Sequence, residues 1–153
     1  MFSRKQFSKD AICLDLQGAT KSEVMEEMLD LLMATGRAPS RKEARRAIWD
    51  REENMSTGMP GGIAIPHGKC GAVDRLAVAI GLHRSGVDFE AMDGQPTHFV
   101  AMSLAPDNRS GPHIQFLADL SRKLSDPIIR RELAKATNAE QVIDLLTRPD
   151  PNP

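Results

Sequence analysis

Two of the four histidines have neighbours that suit chemistry, His67 and His113. His67 follows the run Gly61-Gly62-Ile63-Ala64-Ile65-Pro66 and precedes Gly68-Lys69. A short apolar, strand-type segment therefore ends by presenting one imidazole on a glycine-flanked turn. Imidazole has the side-chain pKa nearest neutrality, so His67 could serve as nucleophile, base or metal ligand. His113 stands just after Gly111-Pro112, in the first turn of a helical repeat. A helix N-terminus has unpaired N–H groups and a positive dipole end, which together favour phosphate. Arg51, ahead of the loop to His67, supplies forked donors that match phosphoryl oxygens. Ser56 and Thr57 add hydroxyls in the same loop, and Gly68 joins them as a candidate phosphate-binding position. A nucleophilic imidazole, an arginine and a second histidine suit a covalent phosphohistidine. The attacking nitrogen must be unprotonated, and the other ring nitrogen then donates to a carbonyl or carboxylate that fixes the tautomer.

Other readings stand beside this one. A histidine after Ile-Pro can be a plain loop residue, and His113 a simple helix-start residue. Arg51 within Asp50-Arg51-Glu52-Glu53 can belong to a solvated face with weak ion pairs. Met25, Met28 and Met33 read as core filling. His83 and His98 fall at strand ends and have nothing nearby to complete a site. His67 and Cys70 have the two-residue gap of some metal-ligand pairs, but no second pair follows at ligand spacing, so no closed zinc site is expected. His67, His113 and a carboxylate leave an open metal site as a rival. No G-x-S-x-G elbow, P-loop or G-x-G-x-x-G fingerprint is present.

The elements that must position these residues alternate between helix and strand. A short strand is expected over 10–16, with Ile12, Leu14 and Leu16 on one face. Thr20 with Glu23, and Ser40 with Glu43, are capping boxes for helices over 21–34 and 41–51. Gly36 stops the first of them. A loop is expected over 54–62, then strands at 63–65, 76–82 and 98–104. The last two are nearly continuous apolar runs, as in strands covered on both faces. Asp93-Gly94 marks a tight turn before the third. Pro112 suits the first position of a helix with Ile114, Leu117, Leu120 and Leu124 at helical spacing. Asp126-Pro127 opens another helix, and Asn138 with Gln141 a last one. Long helices bracketing buried strands predict an α/β fold: a single domain, with a mixed sheet flanked by helices on both faces.

Length and composition agree. A chain of 153 residues suits one domain. Apolar residues make up 41%, charged residues 27%, and the formal net charge is −1. No block of one sign appears, which argues against nucleic acid or an anionic membrane as partner. Cys13 and Cys70 make no disulfide framework, which favours a reduced, cytoplasmic setting. The first residues lead into no signal-type apolar core, and no run approaches the ~20 residues of a membrane span, so no direct membrane insertion is expected. The ends, before about Phe7 and after Arg148, read as the loose parts, with the proline-rich tail 149–153 outside any helix.

The segment Ser56-Thr57-Gly58-Met59-Pro60-Gly61-Gly62-Ile63-Ala64-Ile65-Pro66-His67-Gly68 resembles the active-site segment of the IIA component of the phosphoenolpyruvate-dependent sugar phosphotransferase system. The class is the fructose/mannitol type (type 2), which includes the nitrogen-regulatory IIA proteins. The resemblance continues through Val87-Asp88-Phe89-Glu90-Ala91-Met92-Asp93-Gly94-Gln95-Pro96, Leu104-Ala105-Pro106 and His113-Ile114-Gln115-Phe116-Leu117-Ala118-Asp119-Leu120-Ser121. It implies one IIA domain across 1–153, with a core of about 7–148. It also implies that His67 accepts a phosphoryl group on Nε2 from an HPr-type phosphocarrier and passes it to a IIB domain or uses it as a regulatory signal. Arg51 and His113 match the family's active-site arginine and second histidine, and Ser56 and Thr57 match loop positions near the phosphate. No metal or organic cofactor is implied. Two departures from the family pattern are the polar residues in the 98–104 strand and Pro112 before His113. The absence of a fused IIB, IIC or HPr module fits a regulatory protein, the favoured expectation, or a stand-alone transport subunit. A protein-binding module that has lost phosphotransfer is the third alternative.

Overall fold

The computed structural model describes residues 2–150, so Met1 and the tail residues Pro151, Asn152 and Pro153 lie outside the described residues. Helices α1 (Lys21–Met33) and α2 (Arg41–Asn54) start where their caps stand. Thr20 Oγ1 accepts from the Glu23 N–H and Ser40 Oγ from the Glu43 N–H, both at 3.2 Å. Such caps satisfy amides that a helix start leaves unpaired. Gly36 adopts φ +71° just past α1, a conformation that costs glycine little.

Strands β1 (Ile12–Cys13), β2 (Gly58–Met59), β3 (Ile63–Ala64), β4 (His67–Cys70), β5 (Ala77–Val87) and β6 (Thr97–Pro106) form one mixed sheet. Its order is β1-β5-β6-β3-β2, with β4 also paired to β6. Strands β3 and β4 run parallel to β6 in one continuous register, Ala64 opposite Val100 and His67 opposite Ser103. They are a single edge interrupted at Ile65-Pro66. Helices α3 (Ser110–Leu124), α4 (Pro127–Ala134) and α5 (Ala139–Thr147) complete the chain.

Alternation along β5 and β6 splits the core in two. Val100, Met102 and Leu104 join Met28, Leu29, Leu32 and Ile48 under α1 and α2. Phe99 and Ala101 join Phe116, Leu120 and Leu124 under α3, with α4 and α5 beside it. Helices thus cover both faces of the sheet, as the helix–strand alternation implies.

Several boundaries differ from the sequence reading. The 10–16 strand shrinks to Ile12–Cys13, because Lys9–Ala11 forms a 3-10 turn. Ile12 and Leu14 pack on the α3 side while Leu16 packs on the α1 side, so the three share no face. The 54–62 loop holds β2, which pairs antiparallel with β3. Strands β5 and β6 are longer than expected. Strand β4 went unpredicted because Pro66, His67, Gly68 and Lys69 break any apolar pattern. In α3, Pro112 is the third helical residue rather than the first, and Ile114 is exposed. The buried residues are His113, Phe116, Asp119, Leu120 and Leu124. The described ends, up to Phe2 and Asp150, are anchored rather than loose. Phe2 and Phe7 pack on Phe116, Arg4 pairs with Glu140 and Asp144 on α5, and Asp150 lies 2.9 Å from the Lys123 ammonium.

Candidate active site

His67 opens β4 rather than riding on a turn. Its neighbour across the ladder is Ser103, on the side of β6 that faces α3. Strand alternation sends His67 and Lys69 toward α3 and sends Gly68 and Cys70 toward α2. The contacts agree. Lys69 Nζ donates to Ser110 Oγ at the start of α3 (2.8 Å), and Cys70 Sγ lies 3.8 Å from Glu43 Oε2 on α2. Gly68 abuts α2 directly: a Cβ there would sit 2.8 Å from the Ala47 carbonyl carbon. The missing side chain lets β4 lie against the helix that carries Arg51. His67 and Cys70 face opposite sides of one strand and cannot converge on a metal. Among the described residues no group of three His, Cys, Asp or Glu side chains forms a ligand set.

The His67 ring is half-buried and oriented from below. Its Nδ1 donates to the Ile65 carbonyl at 2.8 Å, across the Pro66 interruption. This assigns the proton to Nδ1 and leaves the Nε2 lone pair free. Burial is the main influence on its pKa and lowers it. The Ile65 bond and the Glu52 charge oppose that shift, while the Arg51 and Lys69 cations reinforce it. Each of these follows from desolvation or Coulomb interaction with the imidazolium.

His113 approaches the same point from α3. The two rings meet edge to face, 5.6 Å between centroids. His113 is buried, and its Nε2 shares a 3.2 Å hydrogen bond with Ser103 Oγ. Its pKa is pushed down to about 4, first by burial and then by the charges at His67 and Lys69. It is therefore neutral at pH 7. The helix start beside it carries no side-chain cap: Arg109 stands at the cap position without such a bond. The first amides of α3 are thus left to solvent or to an anion.

Arg51 lies in the last turn of α2, and its Nη1 donates to the Met55 carbonyl at 2.9 Å. One of five N–H donors is used there. The hydroxyls expected near phosphate are already committed. Ser56 Oγ donates to the Phe89 carbonyl (2.7 Å) and Thr57 Oγ1 donates to Glu52 Oε1 (2.6 Å). They shape the segment after α2 and have no O–H left for an anion.

Three participants escaped the sequence reading: Glu52, Ser103 and Lys69. Glu52 sits in a charged run that reads as solvated, yet it is only 7% exposed. It binds the Thr57 N–H at 2.7 Å and the Lys21 ammonium at 3.0 Å. Ser103 could have been found as the lone hydroxyl in the apolar run 98–104, ten residues before His113. Lys69 follows His67 by two, which signals a shared face only once β4 is known.

Residues 5–148 match the family described as phosphoenolpyruvate-dependent sugar phosphotransferase system, EIIA 2. The chain belongs to that family. A fructose-specific EIIABC component of Bacillus subtilis is 36% identical over 143 residues, covering 94% of this chain and 22% of that protein. The chain thus spans about a fifth of that relative. A fructose-specific EIIA component of Haloferax volcanii is 37% identical over 137 residues, covering 90% of this chain and 89% of its own. Among solved structures, the nitrogen regulatory protein IIA-Ntr of Neisseria meningitidis aligns with TM-score 0.89 and 32% identity, over 94% of this chain and 98% of that one. The IIA mannitol domain of Escherichia coli, solved in complex with phosphorylated IIB mannitol, aligns with TM-score 0.78 and 26% identity, over 92% and 96% of the two chains. IIA domains of this family transfer phosphoryl groups between proteins, and this IIA domain has the fold for it. No helix among the described residues is long and apolar enough to cross a membrane.

Proposed function

We propose that His67 is the phosphoryl acceptor of this IIA domain and that Nε2 is the attacking atom. The observation that carries the reading is the 2.8 Å bond from His67 Nδ1 to the Ile65 carbonyl. It holds the ring in the tautomer whose outward nitrogen has a lone pair. The donor is a phosphohistidine on an HPr-type protein. Its N–P bond breaks with the electron pair returning to the donor ring, while a new N–P bond forms at His67 Nε2. The His67 ring gains positive charge in the process, and the Ile65 carbonyl steadies it. Arg51, Lys69 and the open start of α3 provide cationic and N–H partners for the three phosphoryl oxygens, so positioning and charge stabilisation carry the reaction. Neutral His113 holds the far side through its own bond to Ser103. Gly68 and the Ser56–Thr57 segment act by placing β4 and Arg51. No metal or organic cofactor takes part.

Incubation with phosphoenolpyruvate, enzyme I and HPr tests the reading. The wild type should become an acid-labile phosphoprotein and His67→Ala should not. Equal labelling of His67→Ala would sink the assignment.

For the onward step we favour regulatory output in the cytoplasm, supported by the close fit to the nitrogen regulatory IIA fold. The fructose-class relatives support instead a transport subunit that hands the phosphoryl group to a IIB domain. Mixing the phosphorylated chain with a purified fructose-class IIB domain separates the two. Dephosphorylation within seconds means transport, and a persistent phosphoprotein means regulation.

A further inference from the structure

Helix α4 buries Ile129 and Leu133, and the neighbouring, more exposed face carries two arginines. Pro127, Arg130, Arg131 and Ala134 have the i, i+3, i+4, i+7 spacing of one face. All four line a cavity of about 330 Å³ between α4 and the sheet. The floor is the cross-strand pair Leu82 and Phe99, and Leu133 forms a wall. Arg84, from the end of β5, brings a third guanidinium. This size suits a small organic ligand.

None of the three guanidinia is ion-paired among the described residues, unlike Arg4, Arg41, Arg45, Arg122 and Arg148, and of the arginines without a carboxylate partner these three line one cavity. Arg84 is steadied by the carbonyls of Ala134 (2.5 Å) and Ala136 (2.7 Å), and Arg130 by that of Leu124 (2.7 Å). Carbonyl bonds orient a guanidinium without neutralising it, and each keeps unused donors. Arg131 makes no side-chain hydrogen bond among the described residues. Three uncompensated cations thus surround an apolar floor. The cavity is separate from the phosphoryl site: Phe99 lies four residues before Ser103 on β6, roughly 13 Å along the strand.

We propose that this cavity binds a small organic oxyanion, with an aromatic or aliphatic body on Leu82 and Phe99 and a phosphate or carboxylate group held by Arg130 and Arg131. Forked guanidinium donors suit both oxyanions, and the apolar floor selects against the bare inorganic ion.

Amide chemical-shift titration of the 15N-labelled full chain tests this, with phenyl phosphate, benzoate, inorganic phosphate and phenol as probes. Phenyl phosphate should give saturable shifts at Gly62, Phe99, Arg131 and Leu133. Inorganic phosphate should bind at least tenfold more weakly there, and phenol should not saturate. Comparable binding of benzoate assigns a general oxyanion site, and a clear preference for phenyl phosphate assigns a phosphate monoester site. Arg131→Gln should weaken phenyl phosphate at least tenfold, and Ala134→Phe should block it by filling the same face. His67→Ala should leave the titration unchanged. The proposal is overturned if neither organic anion saturates these amides, if phenol binds as well, or if inorganic phosphate binds as tightly as phenyl phosphate. It also falls if the shifts survive both cavity variants, or if they appear at His67 and His113 instead.

Discussion

His67 and His113 meet with their ring planes at 78°, one edge directed at the other's face. The arrangement brings two imidazoles within reach of one small anion without stacking them. It also couples their charges, since protonation of either disfavours protonation of the other. Strand alternation supplies one ring and the buried face of α3 supplies the other, and Ser103 touches both elements.

Phosphoryl acceptance should hold its rate below the pH at which a free imidazole protonates. Burial and the Arg51 and Lys69 cations lower the His67 pKa, so the neutral, attacking form persists into mild acid. Activity falls only as the pH drops through that lowered value. Arg51→Gln removes one of the cations, so besides slowing transfer it should move the acid limb toward neutral pH. Labelling rates from phosphorylated HPr, measured from pH 5 to 8 for both proteins, check the shift. The donor's own titration is common to the two series. An acid limb at the same pH in both would show that the Arg51 charge is not felt at His67.

Folding stability should carry the signature of His113. The unfolded chain titrates this residue near ~6.5, and the folded chain at about 4. Between these values the unfolded state binds more protons, so acid favours unfolding. The contribution is complete above about 6.5 and is lost as the pH falls toward 4. For a single group shifted this far the loss is of order 3 kcal/mol. Urea unfolding at several pH values, compared with His113→Gln, isolates it. The wild type should lose more stability than the variant between pH 7 and 4.5, and parallel curves would refute the assignment.

Glu52 should be needed for the fold of the site more than for its charge. It accepts from the Thr57 N–H and hydroxyl and from Lys21, whose ammonium also lies 4.9 Å from the centre of the Phe89 ring. Glu52→Leu leaves Lys21 and Thr57 without their partner, and breaking such a buried pair costs about 3–5 kcal/mol. Adding Lys21→Met should return a large part of that loss, since no unpaired cation then remains. Denaturant midpoints of the two single variants and the double variant measure the coupling. Simple additivity would mean that the pair contributes nothing as a pair.

Most of the scaffold was legible in local signals. Side-chain caps at Thr20, Ser40 and Asn138, and the long apolar runs of β5 and β6, state their structure without tertiary help. His67, His113 and Arg51 stood out as candidates for chemistry, the family resemblance implied a role for each, and the fold brings the His67 and His113 rings together. What stayed hidden depends on packing between distant segments. Gly68 reads as turn flexibility, but its value lies in how closely β4 meets α2. Glu52 reads as surface charge, but Lys21 and Thr57 reach it only after α1 and the post-α2 segment fold over it. Ile114 reads as core by spacing, yet the adjacent position on the helix is the one turned inward, because His113 finds Ser103 and Phe116 finds Phe2 and Phe7.

The unbroken register of β3 and β4 along β6 makes the sheet a ruler for the chemistry. From Ala64 to His67 and from Val100 to Ser103 the two edges advance in step. One residue added or removed at Ile65-Pro66 would turn the imidazole to the α2 side, where only Gly68 now fits, and leave that glycine facing α3. The hairpin at Gly61-Gly62 lies upstream of this count and can change length without disturbing it. Segment exchange between proteins of this architecture therefore has a natural junction at the hairpin and a forbidden one at the proline.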